Sequence, residues 1–301
     1  MALSMYPDLV RRSQWLHTSA ADGSSGEPMT PVQPDAEQTT SDPGSPGQVL
    51  LDVRDLSKAF RGLLALQNYA LTLRAGEILG IIGPNGAGKT TLFNLLTGFL
   101  ASTTGTIHFR GQDVTHAAPP VVVEMGLART FQNIRLFGGL SVLDNVTVAQ
   151  QLHTPVSFWK TMLSWPTFLR KEEQTYRDAL ELLDLMGLAD QAARRASELS
   201  YGDQRRLEIG RALATRPTVL LLDEPAAGMN PRESDQLHQL ILDLRRQFSL
   251  TIVLVEHDMR LVMNLCERLQ VLNYGEIIAE GLPEDVRRHP RVIESYLGAA
   301  L

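Results

Sequence analysis

The stretch Glu77-Ile78-Leu79-Gly80-Ile81-Ile82-Gly83-Pro84-Asn85-Gly86-Ala87-Gly88-Lys89-Thr90-Thr91 decides the fold. A short aliphatic run, Glu77–Ile82, reads as a buried strand and passes straight into a glycine-rich loop, and Thr91–Leu100 then carries helical periodicity. Residues 83–90 fit the pattern G-x-x-x-x-G-K-[ST]. Those residue types follow from what binding a phosphate demands. Successive backbone N–H groups must converge on phosphate oxygens, so side chains are stripped away and glycines take the tight dihedrals. The helix behind the loop turns its positive end to the anion. Lys89 reaches the β- and γ-phosphates of a nucleotide, and the Thr90 hydroxyl is placed to ligate Mg2+. The predicted phosphate-contacting set is therefore Gly83, Pro84, Asn85, Gly86, Ala87, Gly88, Lys89, Thr90 and Thr91.

Outward from this loop the texture is α/β. Pro217–Leu222 and Leu250–Val255 are aliphatic runs of the kind buried in parallel sheets, with helical stretches at 203–215 and 231–247. Leu50–Leu56 and Ala70–Leu73 read as small antiparallel strands at the N-terminal side. Residues 133–200 show little strand and much helix signal, above all Lys171–Met186, and read as an inserted helical subdomain. No fixed-period repeat is visible, so the chain holds one nucleotide-binding unit. Residues 1–48, rich in Ser, Thr, Pro and Gly from residue 22 on, are expected to be a disordered extension with at most a helical turn near Tyr6–Trp15. The expected globular domain is 49–301, with 276–301 as its C-terminal extension.

Composition narrows the classes. With 301 residues, 44% hydrophobic and 21% charged, the chain has ample material for a core. Its net charge is 28 − 34 = −6, which argues against a nucleic-acid partner. One cysteine, Cys266, excludes an internal disulfide or a four-cysteine zinc site; it reads as a core residue within a helix. No run of 18 apolar residues occurs and the first 20 residues lack an apolar core, so neither a membrane span nor a cleaved secretory signal is expected. His17, His108, His116, His153, His238 and His289 have no metal-ligand spacing.

Val219–Leu222 ends in Asp223-Glu224, 223 − 89 = 134 residues after the loop lysine. Ligands of open parallel sheets sit at the carboxyl ends of strands, so Asp223 is placed to hold Mg2+ and Glu224 to polarise an attacking water. Alone, such a pair is equally a solvated turn. Leu199-Ser200-Tyr201-Gly202-Asp203-Gln204-Arg205-Arg206 lies 223 − 200 = 23 residues before Asp223. Ser200 is suited to cap the helix that begins near Asp203, leaving its amides to an anion.

In this order the motifs resemble those of ATP-binding-cassette (ABC) ATPases, over about 49–301. Ser200, Tyr201, Gly202 and Asp203 resemble that family's signature motif, here with Tyr at the second glycine position. The resemblance implies a P-loop NTPase ABC domain. It implies that Gln132, in Arg129-Thr130-Phe131-Gln132-Asn133, approaches the metal with Thr90 and Asp223, and that His257 contacts the γ-phosphate. Phe60 matches the aromatic position that stacks on adenine, and Ala226–Pro231 matches the loop that crosses between two subunits. ATP and Mg2+ are the implied ligands, with Glu224, His257 and Lys89 as catalytic residues.

The wording of 129–137, 201–209, 223–231 and the C-terminal Leu282-Pro283-Glu284 and Tyr296-Leu297-Gly298 is similar to the LivG type, the ATPases of bacterial branched-chain amino-acid importers. The sister families that import urea or short amides look much alike; an exporter ATPase and a soluble ABC protein are remoter alternatives. The resemblance implies a second ATPase subunit, identical or related, membrane permease subunits, a substrate-binding protein and a place at the cytoplasmic face of the inner membrane. Phe158, Trp159, Met162, Trp165 and Phe168 are expected to pack within the helical subdomain or to face the permease.

Overall fold

Ile78–Ile82 form β3, five residues buried in succession, as a strand covered on both faces requires. The computed structural model describes residues 47–153, 165–257 and 259–297. The predicted extension up to residue 46 lies outside them, as do Phe158, Trp159 and Met162 and the side chains of Trp165 and Phe168. β3 lies in a six-stranded sheet ordered β10-β9-β3-β8-β7-β6, made with β6 (Leu127–Arg129), β7 (Val219–Asp223), β8 (Thr251–Val255), β9 (Arg268–Asn273) and β10 (Glu276–Gly281). All pairings are parallel except β10 on β9, so the carboxyl ends of β3, β7 and β8 share one edge.

A second, antiparallel sheet, ordered β2-β1-β4-β5, comes from β1 (Val49–Phe60), β2 (Leu63–Arg74), β4 (Thr104–Phe109) and β5 (Gln112–Asp113). The hairpins turn through left-handed pairs, Arg61-Gly62, Arg110-Gly111 and, in the larger sheet, Tyr274-Gly275, which match the twist of the strands.

The continuous apolar runs conceal a period of two. Ile78, Ile82, Leu220, Leu222, Ile252 and Leu254 face one core; Leu79, Ile81, Val219, Leu221, Val253 and Val255 face the other. The first core is closed by the helical residues Val142, Val146, Leu183 and Leu207 with Met186 just past a helix end, and the second by Leu92, Phe93 and the antiparallel sheet. The two sheets are joined by a buried bond in which the Tyr69 hydroxyl donates to Gln270 Oε1 at 2.6 Å.

The helices follow the expected spacing with local corrections. α1 (Lys89–Leu96) starts on the loop lysine and stops four residues short of Leu100. Thr97 turns its hydroxyl back to the Phe93 carbonyl at 2.6 Å, and Gly98 takes a left-handed φ of 72°. α2 (Pro119–Glu124) precedes β6. Between 133 and 200 lie α3 (Val142–Gln150) and α4 (Trp165–Leu185), with a lone bridge, Ser141 to Arg195, as the described strand-like pairing. α5 (Tyr201–Ala214) packs on both of these helices. α6 (Pro231–Phe248) is opened by a reciprocal cap between Asn230 and Glu233. α7 (Met259–Leu265) ends one residue before Cys266, so the cysteine is not within a helix, although its N–H still bonds the Val262 carbonyl at 3.0 Å. It is a core residue, and burial pushes its thiol up to about 12. The short helices α8 (Pro283–Arg288) and α9 (Pro290–Leu297) follow β10. Among the described residues no helix is long and apolar enough to cross a membrane.

Candidate functional site

β3 delivers the phosphate loop at the sheet edge. A Cβ on Gly83, at φ 150°, would lie 2.1 Å from the Leu272 carbonyl oxygen, and one on Gly88, at φ 106°, would lie 2.6 Å from that of Ala65. Both positions therefore exclude any side chain. No side chain caps the first turn of α1 and no acid stands in it, which leaves its positive end to an external anion. Lys89 is almost fully buried, and its Nζ donates to the carbonyls of Gly83 at 2.6 Å and Pro84 at 3.0 Å. Burial, the larger influence, pulls its pKa down, while Glu224 and Asp223 raise it. Asn85, Gly86 and Thr90 are exposed, Pro84 and Thr91 half-buried, and Ala87 buried. On the flank of the loop a cavity of about 330 Å3 separates Pro84–Ala87 from Arg291, Glu294 and Ser295 of α9. There Tyr296 has its pKa raised by burial, against a lowering influence from the Gly83 N–H facing its hydroxyl.

β7 and β8 bring the carboxylates. Asp223 closes β7 almost fully buried, and Arg129 of β6 donates to its Oδ2 at 3.0 Å. The same guanidinium reaches Asn94 on α1 at 2.8 Å and Thr97, just past its end, at 3.3 Å, and stacks over Phe131 at 4.5 Å. Burial raises the Asp223 pKa, opposed by Arg129 and reinforced by Glu224. Glu224 follows in a left-handed conformation, φ 47°, with its N–H on the Val255 carbonyl at 2.9 Å. That kink aims the side chain out of the strand: Oε1 lies 2.6 Å from His257 Nε2, and Oε2 accepts from Gln132 Nε2 at 2.9 Å. Three of the predicted residues thus converge. Gln132 is bonded to Glu224 and not to Asp223.

The predicted signature residues open α5. Ser200 accepts from the Asp203 N–H at 3.2 Å and donates to Asp203 Oδ2 at 2.9 Å; the helix starts at Tyr201, two residues earlier than expected. Tyr201 is exposed and Gly202 buried. Among the described residues no hydrogen bond, ion pair or ring contact joins Ser200–Asp203 to the loop 83–91. Phe60 stands at the end of β1, 43% exposed beneath Lys58 Nζ at 5.2 Å; it is a presented ring and not a core residue.

Four charged residues that tie these parts together had no role in the sequence reading: Arg129, Arg205, Glu208 and Glu256. Glu256, buried, accepts from the N–H groups of Ala226 at 2.9 Å and His257 at 3.1 Å, and so anchors the segments after β7 and β8 to each other. The available signal was a charge at a position the apolar pattern assigns to the interior. Among the described residues no three His, Cys, Asp or Glu side chains are grouped to hold a metal ion.

Two family models match: ABC transporter over residues 66–227, and branched-chain amino acid ATP-binding cassette transporter over 276–301. Similar curated proteins include the high-affinity branched-chain amino acid transport ATP-binding protein LivG of Salmonella typhimurium, 47% identical over 253 residues, which are 84% of this chain and 99% of that protein. BraF of Pseudomonas aeruginosa, with the same description, is 43% identical over 83% of this chain and 98% of its own. Among solved structures, an ATP-binding cassette of an ABC transporter in its ADP conformation matches with a TM-score of 0.73 and 32% identity, covering 83% of this chain and 99% of that one. A nucleotide-free cassette matches with 0.72 and 31%, over the same shares.

Proposed function

The chain belongs to the ABC transporter ATPase family, and from that premise we propose that it is the ATP-hydrolysing subunit of an importer for branched-chain amino acids. The observation that carries the chemistry is the convergence of Gln132 and His257 on Glu224 beside a phosphate loop whose helix end is left uncapped. In this reading the γ- and β-phosphates lie on the amides of 83–91, with Phe60 under the adenine. Lys89 leaves its two carbonyls to meet the phosphate oxygens. Glu224 holds the attacking water and takes its proton as the water oxygen bonds the γ-phosphorus and the bond to the β,γ-bridging oxygen breaks, releasing ADP and inorganic phosphate. His257 fixes the Glu224 carboxylate and faces the leaving phosphate.

Thr90, Gln132 and Asp223 offer a hydroxyl, an amide and a carboxylate oxygen, the hard donors that Mg2+ takes, and Arg129 engages Asp223 through Oδ2 alone. When bound, Mg2+ supplies charge neutralisation at the β- and γ-oxygens.

Ser200, Tyr201, Gly202 and Asp203 have no bond to the chain's own phosphate loop, which supports a site completed by the signature of a second ATPase subunit. The helical segment 133–200 carries the motion to membrane permease subunits, fed by a substrate-binding protein, with the cassette peripheral on the cytoplasmic face. The domain bounds follow: an extension up to 48, a cassette over 49–301, and a C-terminal extension over 276–301.

The test is uptake of labelled leucine, with urea and a short amide in parallel, in cells lacking the chain and restored with wild type or Glu224→Gln. Leucine uptake restored by wild type alone supports the reading. Loss of urea or amide uptake with leucine untouched overturns the substrate, and restoration by Glu224→Gln overturns the role of the carboxylate.

A further inference from the structure

Arg205 and Glu208 sit three residues apart on α5, on the turn after the signature residues, and their side chains are 0% and 1% exposed. They pair at 2.8 Å from Nη1 to Oε2. An ion pair this deep has surrendered its hydration and needs further bonds to offset that loss. Its further bonds go chiefly to one segment of backbone. Arg205 donates through Nη1 to the Phe131 carbonyl at 2.7 Å and through Nη2 to the Gln132 carbonyl at 2.8 Å. Glu208 Oε1 accepts from the N–H groups of Phe131 at 3.4 Å and Arg135 at 3.2 Å. A weaker bond, Nη2 to the Tyr201 hydroxyl at 3.3 Å, ties the pair to the signature. Arg205 Nε is left with no partner. That orphan is a poor solution for stability alone and a natural one if the two outer nitrogens are fixed by the carbonyls they hold.

The chain of contacts then runs unbroken. α5 carries Ser200–Asp203 at its start, the buried pair clasps 131–135, and the Gln132 side chain bonds Glu224. We propose that Arg205 and Glu208 are positioning residues that lock the segment 131–135 to α5, so that Gln132 travels with the signature helix and sets the Glu224 carboxylate according to where that helix stands. This rests on the ATPase reading above. Neither side chain touches nucleotide in this scheme; both act through the backbone of residue 132.

The experiment uses the transporter purified with its membrane subunits and compares wild type with Arg205→Met/Glu208→Leu, which removes both charges together and leaves neither buried alone. Steady-state ATP hydrolysis, thermal unfolding and amide hydrogen exchange are read on the same samples. The expected result is a kcat at least about tenfold lower with KM for ATP within about twofold. Exchange at 131–135 should be at least about tenfold faster, with exchange in β3 and β7 unchanged. A folded double variant with wild-type kcat, or one whose exchange rises evenly across the molecule, overturns the proposal. Should the double variant fail to fold, Arg205→Lys carries the same readings: a lysine has no planar fork to hold Glu208 and both carbonyls in the guanidinium's fixed geometry, so wild-type kcat there is equally fatal. If wild type itself hydrolyses no ATP, the ATPase reading has failed and not this one.

Discussion

Three carboxylates, Asp223, Glu208 and Glu256, have pKa values raised above the usual range, with burial the largest cause in each. Glu256 is the plainest, because two backbone amides donate to its carboxylate. A carboxyl whose folded pKa exceeds its unfolded one holds more protons in the folded chain across the interval between them. Its contribution to stability therefore falls as pH rises through that interval. Glu256→Gln keeps an oxygen for one or both amides and removes the charge. Its melting temperature relative to wild type is expected to improve as pH rises above the usual carboxylate range; a difference that does not change with pH would refute the assignment. Residues such as Lys89, Gln132, Glu224 and His257 were legible in the sequence because a motif fixes their spacing. Arg129, Arg205 and Glu208 were not: Arg205 and Glu208 read locally as an ordinary helical i,i+3 pair, and the bonds that give all three their role run to Asn94, Asp223 and the backbone of 131–135, about 35 to 94 residues away, which no local pattern records.

Elements were legible where one local cause dominates. β3, β7 and β8 announce themselves as aliphatic runs, and α6 by Pro231 after a capping Asn230. The end of α1 was missed because Thr97 and Gly98 close it through bonds to the preceding turn while the apolar pattern runs on. α6 itself ends on Ser249, exposed and held at φ 51°. A left-handed conformation at a residue with a Cβ is strained, and glycine takes it freely. Ser249→Gly should stabilise the protein by about 0.5 kcal/mol, net of the extra freedom glycine gains on unfolding. Chemical denaturation reads this directly, and a loss of stability would show that the Ser249 side chain contributes more than its backbone costs.

At the scale of the whole molecule, the join between the two sheets was illegible, since Tyr69 and Gln270 are 201 residues apart in sequence. Tyr69→Phe keeps the ring and leaves the buried Gln270 carbonyl without its donor. A loss of about 1–3 kcal/mol is expected by denaturant titration, whereas an unchanged midpoint would mean that this bond adds nothing to the join between the sheets. The position of β3 has a consequence for how the molecule is made. Ile78 pairs with Ile252 on one side and Leu79 with Arg268 on the other. A ribosome adding roughly 5–20 residues per second therefore delivers the phosphate loop and then makes it wait about 10–35 s for the two strands that flank it. α9, which lines the flank of that loop, comes later still. A newborn chain thus carries its nucleotide motif early, while β8 and β9, the strands that seat the phosphate loop in the sheet, are made only later.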